Sequence, residues 1–227
     1  MVPSVLTSGQ TGAAFLLTSR HSPGVRREFG VQVLTMAMAR HVSAAENLRG
    51  FLKRETAAKH DYLDSIFAGF ELETLAGYAG FLSAHYIAWN AMSDAWSAAL
   101  RDLIGFEAPD YAAMLRDDLR DVGVADLADL PNLTVRPCES QAGLAYVLAG
   151  SRLGIGAIAR QPNWGGRNDT GHRFLTDPQG ANIFRTLIAR FDRSDDGEFD
   201  PQLALEAANA CFDAFVSAAQ SVHGRLQ

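Results

Sequence analysis

The chain predicts an all-α, single-domain bundle of six to seven helices, and three observations predict it. Apolar residues recur at three- and four-residue steps over most of the sequence after residue 45. No segment alternates apolar and polar residues between turn signals, and β-branched residues do not cluster. After residue 45 the prolines all fall at the ends of the periodic stretches or between them.

The first periodic stretch opens near Ala45, with Leu48, Phe51, Leu52, Thr56, Leu63 and Phe67 on its apolar stripe. A second runs from about Leu72 to Leu103 through Tyr78, Phe81, Leu82, His85, Trp89, Met92 and Trp96. Pro109 suits the first position of a third helix, because proline has no N–H for a helix start to leave unpaired. Ala112, Leu115 and Leu119 give that helix its stripe, and Gly123 ends it. A loop with Pro131 and Pro137 follows, then a long helix over 139–160. Gln161 to Gly171 reads as a loop from its Gly, Asn and Pro content. Asp177-Pro178 opens another helix, carrying Ile183, Phe184, Leu187, Ile188 and Phe191. Asp200-Pro201 caps and begins the last, which reaches about Val222.

Composition narrows the function. The 227 residues are 48% hydrophobic, enough for a sizeable core, and the formal charge of -6 argues against a general nucleic-acid binder. Residues 1–45 differ from the rest: they mix Gly, Pro, Ser and Arg with four Arg against one Glu, and are expected to be poorly ordered or an accessory extension before a domain over 46–227. The short apolar run Ala13–Leu17 lacks the length and the preceding charges of a signal peptide. No apolar run reaches the ~18 residues of a membrane span. Cys138 and Cys211 form no CxxC pair. A cytoplasmic protein, without membrane or nucleic-acid partners, is the expectation.

Two places look like chemistry. In Leu52-Lys53-Arg54-Glu55-Thr56-Ala57-Ala58-Lys59-His60, Lys53 and His60 are seven apart. They therefore stand on one side of a helix, about 10 Å apart along its axis. Thr56 lies near the same stripe. An imidazole that can hold a metal, in line with a cation that can reach an anion, suits a flat metal-bearing cofactor with acidic tails. The second place is Tyr146-Val147-Leu148-Ala149-Gly150-Ser151-Arg152-Leu153-Gly154-Ile155-Gly156. Three glycines inside an apolar helix cost roughly 1 kcal/mol each relative to alanine. Gly150 and Gly154 share a face and expose backbone there, so either a flat ligand or a second helix can approach closely. No strand precedes this run and no Gly-Lys-Ser/Thr follows, so it is not a phosphate loop.

Together, L-K-x-x-T-x-x-x-H at 52–60 and G-S-x-L-G at 150–154 resemble the heme oxygenases, most closely the bacterial biliverdin-producing type. Tyr78-x3-Leu82-x2-His85 and Phe184-Arg185 add to the likeness, which covers roughly 48–220. The resemblance implies a heme oxygenase-like fold and heme as both cofactor and substrate. It implies His60 as the proximal iron ligand, with Asp64 able to orient its ring. Lys53 and Arg185 correspond to propionate partners, with Arg190 and Arg193 as nearby alternatives, and Thr56 and Tyr146 also border the cofactor. Phe212 and Phe215 match aromatic positions against the heme, though plain core residues would read alike. Gly150, Ser151 and Gly154 match the catalytic distal segment, with Ser151 where some relatives carry a water-holding Asp, and Arg152 is expected to face outward. Ala149 and Ile155 depart from the family's usual residues, and Ile155 is expected to crowd the distal side.

The implied activity opens heme with O2 to biliverdin, carbon monoxide and Fe(II). Its electrons come from an external ferredoxin or reductase, since no flavin or nucleotide motif is present. Biliverdin could then serve a bacteriophytochrome. A heme carrier or sensor of the same fold, and more remotely a thiaminase-like enzyme with a nucleophilic Cys, are the alternatives. His85 reads as a core histidine; His21, His41, His172 and His223 read as surface or loop residues. No Glu-x-x-His supports a di-iron bundle site.

Overall fold

Five of the seven described helices start where a short polar side chain turns back on the backbone. In the computed structural model, which describes residues 47–226 apart from 125, 137–138, 162–170 and 195–196, α1 spans Leu48–Phe67. Asn47 Oδ1 accepts from the Gly50 N–H at 2.9 Å and satisfies one of the donors that a helix start leaves open. Thr74 does the same for α2 (Leu75–Ile104) through Gly77, and Asp110 for α3 (Tyr111–Asp121) through Ala113. Pro109 is therefore not the first residue of α3 as expected. The Asp110 carboxylate is the stronger start signal, and Pro109 precedes the cap.

α4 spans Gln141–Ala159, α5 Arg173–Thr176, α6 Gln179–Phe191 and α7 Pro201–Leu226. Asp177 Oδ2 accepts from the Gln179 and Gly180 N–H groups at 3.2 Å, and Asp200 Oδ1 from Gln202 and Leu203, as the two Asp-Pro pairs predict. Gly105 and Gly123, at φ 64 and 90, follow α2 and α3 in the left-handed conformation that other residues resist. The one-turn α5 is not anticipated by periodicity. It is held from outside: the buried Asp118 carboxylate accepts from the backbone N–H groups of Arg173 and Phe174 and from the Arg173 guanidinium.

These seven helices, with no strand among the described residues, make the all-α bundle the periodicity predicts. α2 and α7 are central. α7 packs along α1, α2 and α4, while α4 also packs on α2 and α6. Trp89, Trp96, Tyr111 and Phe174 form an aromatic cluster where α2, α3 and α5 meet, with the Trp89 and Tyr111 rings 4.7 Å apart. By length and composition alone α4 is apolar enough to cross a membrane, but half of that window is buried inside the bundle. The expectations for residues 1–45, for Cys138 and for most of the 161–171 loop lie outside the described residues.

The glycines of α4 divide by what surrounds them. A Cβ on Gly143 would stand 1.8 Å from the Ala204 carbonyl oxygen, so α4 and α7 meet there backbone to backbone. A Cβ on Gly154 would meet no described atom within 4 Å. Gly143→Ala is therefore expected to destabilise the fold by about 1–3 kcal/mol through overpacking. Gly154→Ala is expected to stabilise the protein without ligand by up to about 1 kcal/mol, the helix propensity difference. Urea unfolding of the two variants checks this, and a loss of stability on Gly154→Ala would contradict it.

Candidate functional site

α1 carries an exposed stripe beside its buried line. Arg49, Lys53, His60 and Asp64 follow at steps of four, seven and four, so they fall on one side of the helix. All four are exposed, and neither Arg49 nor Lys53 forms an ion pair with a described residue. His60 is the anchored member. Its Nδ1 lies 3.1 Å from Asp64 Oδ2, and its ring meets Phe212 of α7 edge-on with centroids 6.2 Å apart. The side chain is still 61% exposed. With Nδ1 against a carboxylate, Nε2 is the nitrogen left to bind a metal. A Lys59–Asp213 ion pair ties α1 to α7 beside this point.

α4 contributes a second surface. Tyr146, Gly150, Leu153 and Gly154 lie on one side of it by helical spacing. Gly150 has only the edge of the Phe184 ring near it, 3.6 Å from where a Cβ would be, and Leu153 is 44% exposed. Among the described residues, the close backbone-to-backbone approach falls at Gly143 and not at Gly150 or Gly154. Tyr146 is half-buried, which pushes its phenol pKa up, while the nearby Arg49 charge opposes that shift. α1 and α4 both lean on α7 and barely touch each other.

Asn47 Nδ2 donates to Asp192 Oδ1 at 2.8 Å and joins the start of α1 to the end of α6. On α6, Arg185 is exposed and forms no ion pair with a described residue. Arg190 is committed to Glu198 and lies over the Phe199 ring, which removes one of the alternatives to Arg185.

The other expected residues are placed less simply. Thr56 is buried and its hydroxyl donates to the Leu52 carbonyl at 2.8 Å, within its own helix. Ser151 is half-buried and donates to the Leu148 carbonyl. Phe215 belongs to the core beside Trp89 and His85. Ile155 is 3% exposed on the core side of α4 and does not crowd the glycine face. The expectation that Arg152 faces outward is wrong. It is 4% exposed, its guanidinium carbon lying 4.3 Å from the Tyr111 ring centroid and 4.2 Å from that of Phe174. Its Nη2 donates to the Phe174 carbonyl at 2.5 Å and lies 4.0 Å from Asp177 Oδ2. Two aromatic faces and a carboxylate gave this charge a reason to turn inward.

Two features escaped the sequence reading. Arg49 was findable, since it stands one turn before Lys53 on the same stripe. Gly143 was not, because only the position of α7 reveals its role. The described residues contain no group of three or more His, Cys, Asp and Glu placed to hold a metal. A cavity of about 270 Å³ lies elsewhere, between α2 and α3 beside Trp96 and Asp110.

His85 is the contrasting histidine. It is buried, its Nδ1 is 2.9 Å from the Phe81 carbonyl, and its ring lies among Phe67, Phe81 and Phe174. Burial lowers its pKa from 6.5 to about 3. Between those values the unfolded chain binds a proton that the folded protein refuses. The stability is therefore full above about pH 6.5 and is lost as pH falls toward 3. His85→Gln is expected to flatten this dependence by up to about 1.4 kcal/mol per pH unit. Urea unfolding from pH 7 to 4 checks it; an unchanged slope would contradict the assignment.

No family model matches the sequence, and no curated protein matches it.

Proposed function

We propose that the chain binds heme between the His60 stripe of α1 and the glycine face of α4, and opens it oxidatively to biliverdin, carbon monoxide and Fe(II). The observation that carries the reading is His60 itself: an exposed imidazole, steadied through Nδ1 by Asp64 and left with Nε2 free. The fit of the surrounding residues supports it. Gly150 and Gly154 leave bare backbone where a flat ring needs room, and no described side chain fills that space beyond the Phe184 edge. Lys53, Arg49 and Arg185 are cations without ion-pair partners among the described residues, suited to two carboxylates.

Heme would supply the redox chemistry, with O2 and electrons from an external ferredoxin or reductase. The protein's part is to hold and to shield. His60 would bind the iron, with Asp64 fixing the ring's orientation. Phe212 would support the imidazole edge. Lys53 and Arg185 would receive the carboxylates, and Tyr146 would border the ring with its phenol kept neutral. The glycine backbone of α4 would limit the space opposite His60 and leave room for ordered water near Ser151. A cytoplasmic setting, and a bacteriophytochrome that takes up biliverdin, accord with this reading.

Heme titration followed by absorbance tests it. The wild-type protein is expected to show a Soret band of a histidine-ligated heme, and His60→Ala to lose that signature. Lys53→Ala is expected to weaken binding by roughly 3- to 10-fold, the size of one ordinary net hydrogen bond of about 1 kcal/mol. With ascorbate or a reductase under air, the Soret band should bleach as biliverdin appears. An unchanged spectrum in His60→Ala would reject the ligand assignment. A stable Soret band without biliverdin would make the protein a heme carrier or sensor.

A further inference from the structure

Arg152 lies within the glycine run but points the opposite way. It stands two positions from Gly150 and two from Gly154, so it projects from the back of α4 when those glycines face the front. There the guanidinium sits between the Tyr111 and Phe174 rings, at 4.3 and 4.2 Å, and its Nη2 donates to the Phe174 carbonyl. Asp177, 4.0 Å from Nη2, also accepts from Tyr111 Oη at 2.8 Å and from the first N–H groups of α6. Gly180 closes the arrangement: a Cβ there would stand 2.6 Å from Arg152 Cβ, so α6 starts directly against this side chain. One turn further, α6 brings Phe184 to the front of Gly150.

We infer that Arg152 is a positioning residue for the site. It sets the rotation of α4 about its axis and the starting point of α6, and so fixes both the glycine face and the Phe184 ring. This rests on the heme reading of that face. A planar cation is required, because the slot between two rings accepts a guanidinium and not the rounder ammonium of lysine.

The test uses the full chain with Arg152→Lys, Arg152→Met and, as a milder change, Tyr111→Phe, which keeps the ring and removes the hydrogen bond to Asp177. Two readouts are followed besides biliverdin formation. One is the acid–alkaline transition of the ferric heme complex, which senses the surroundings opposite His60. The other is hydrogen exchange of the ligand-free protein across α4. Both Arg152 variants should retain a histidine-ligated Soret band. Their transition should shift by about half a pH unit or more and ring opening should slow roughly ten-fold, since misplacement by about 1 Å can cost as much as 10²-fold. Lysine should not rescue. Tyr111→Phe should shift the transition in the same direction by less. Exchange should quicken at Gly150–Gly156 and remain slow in α2 and α7.

A lowered melting temperature with a wild-type transition and a wild-type rate would overturn the inference. If the Arg152 variants do not fold, an unchanged transition in Tyr111→Phe overturns it. If the wild-type protein shows no histidine-ligated spectrum, the heme reading fails on its own. Exchange then decides: loosening confined to α4 and the start of α6 supports the clamp, and uniform loosening rejects it.

Discussion

The constraint on which the bundle depends is a buried guanidinium. Taking an Arg out of water carries a penalty of several kcal/mol unless the surroundings replace its hydration. For Arg152 the replacement comes from the Tyr111 and Phe174 rings, the Phe174 carbonyl and, at 4.0 Å, Asp177. Its Nε and Nη1 find no acceptor among the described residues, so ring faces supply much of the environment. Burial accordingly lowers the pKa of this guanidinium. The partners come from four separate stretches: Tyr111 at the start of α3, Arg152 in α4, Phe174 in α5 and Asp177 before α6. A single cation thereby dictates where four elements converge. The neighbouring Asp118 makes the same kind of demand on a smaller scale, holding α5 by its first N–H groups.

Against this rigid back, the front of α4 is defined by omission. Gly143 is small because α7 comes too close for any side chain, whereas Gly150 and Gly154 have almost no described atom near them. Identical residues in one helix thus answer to different constraints. The first is explained by packing. The others weaken the helix, and no described neighbour accounts for that cost. The same contrast separates the two histidines. His85 is enclosed by rings, uncharged, and explained by the core around it. His60 is exposed, aligned with cations, and steadied by a carboxylate that is itself 68% exposed.

Most of the fold was legible because its signals are local. The helix starts at Asp177 and Asp200 and the stop at Gly123 act within a few residues of where they stand, whereas the equally local caps at Asn47, Thr74 and Asp110 and the stop at Gly105 were passed over. The start of α3 was misplaced for a local reason, the Asp110 cap beside Pro109, and the other failures are non-local. α5 has too few residues to show a period and exists because Asp118, more than fifty positions earlier, captures its backbone. Arg152 reads as a surface charge until Tyr111 and Phe174 are placed around it. Ile155 was drawn into the site because the family it resembles usually carries a smaller residue there, but one residue is a 100° turn about a helix, and it points into the core. The α1 stripe, in contrast, was visible from spacing alone, since a seven-residue step needs nothing but a helix to align its ends.

What the two faces share is that neither is accounted for by folding. An exposed ion pair such as His60–Asp64 adds little to stability, because water screens it and its side chains must give up freedom. Lys53 and Arg49, without ion-pair partners among the described residues and four apart on one helix, repel each other. Gly150 and Gly154 lower the helix propensity of α4. Each feature is unfavourable or neutral for the protein alone, and on the proposed reading each would become favourable with a ligand that is flat, bears a metal at its centre and carries negative charge at its edge. The metal would use the steadied imidazole, the negative edge would relieve the cationic repulsion, and the flat body would cover the bare backbone. A ligand lacking any of these three properties would leave one of the costs unexplained, which is the physical reason the heme reading fits better than a simple metal site or an anion site.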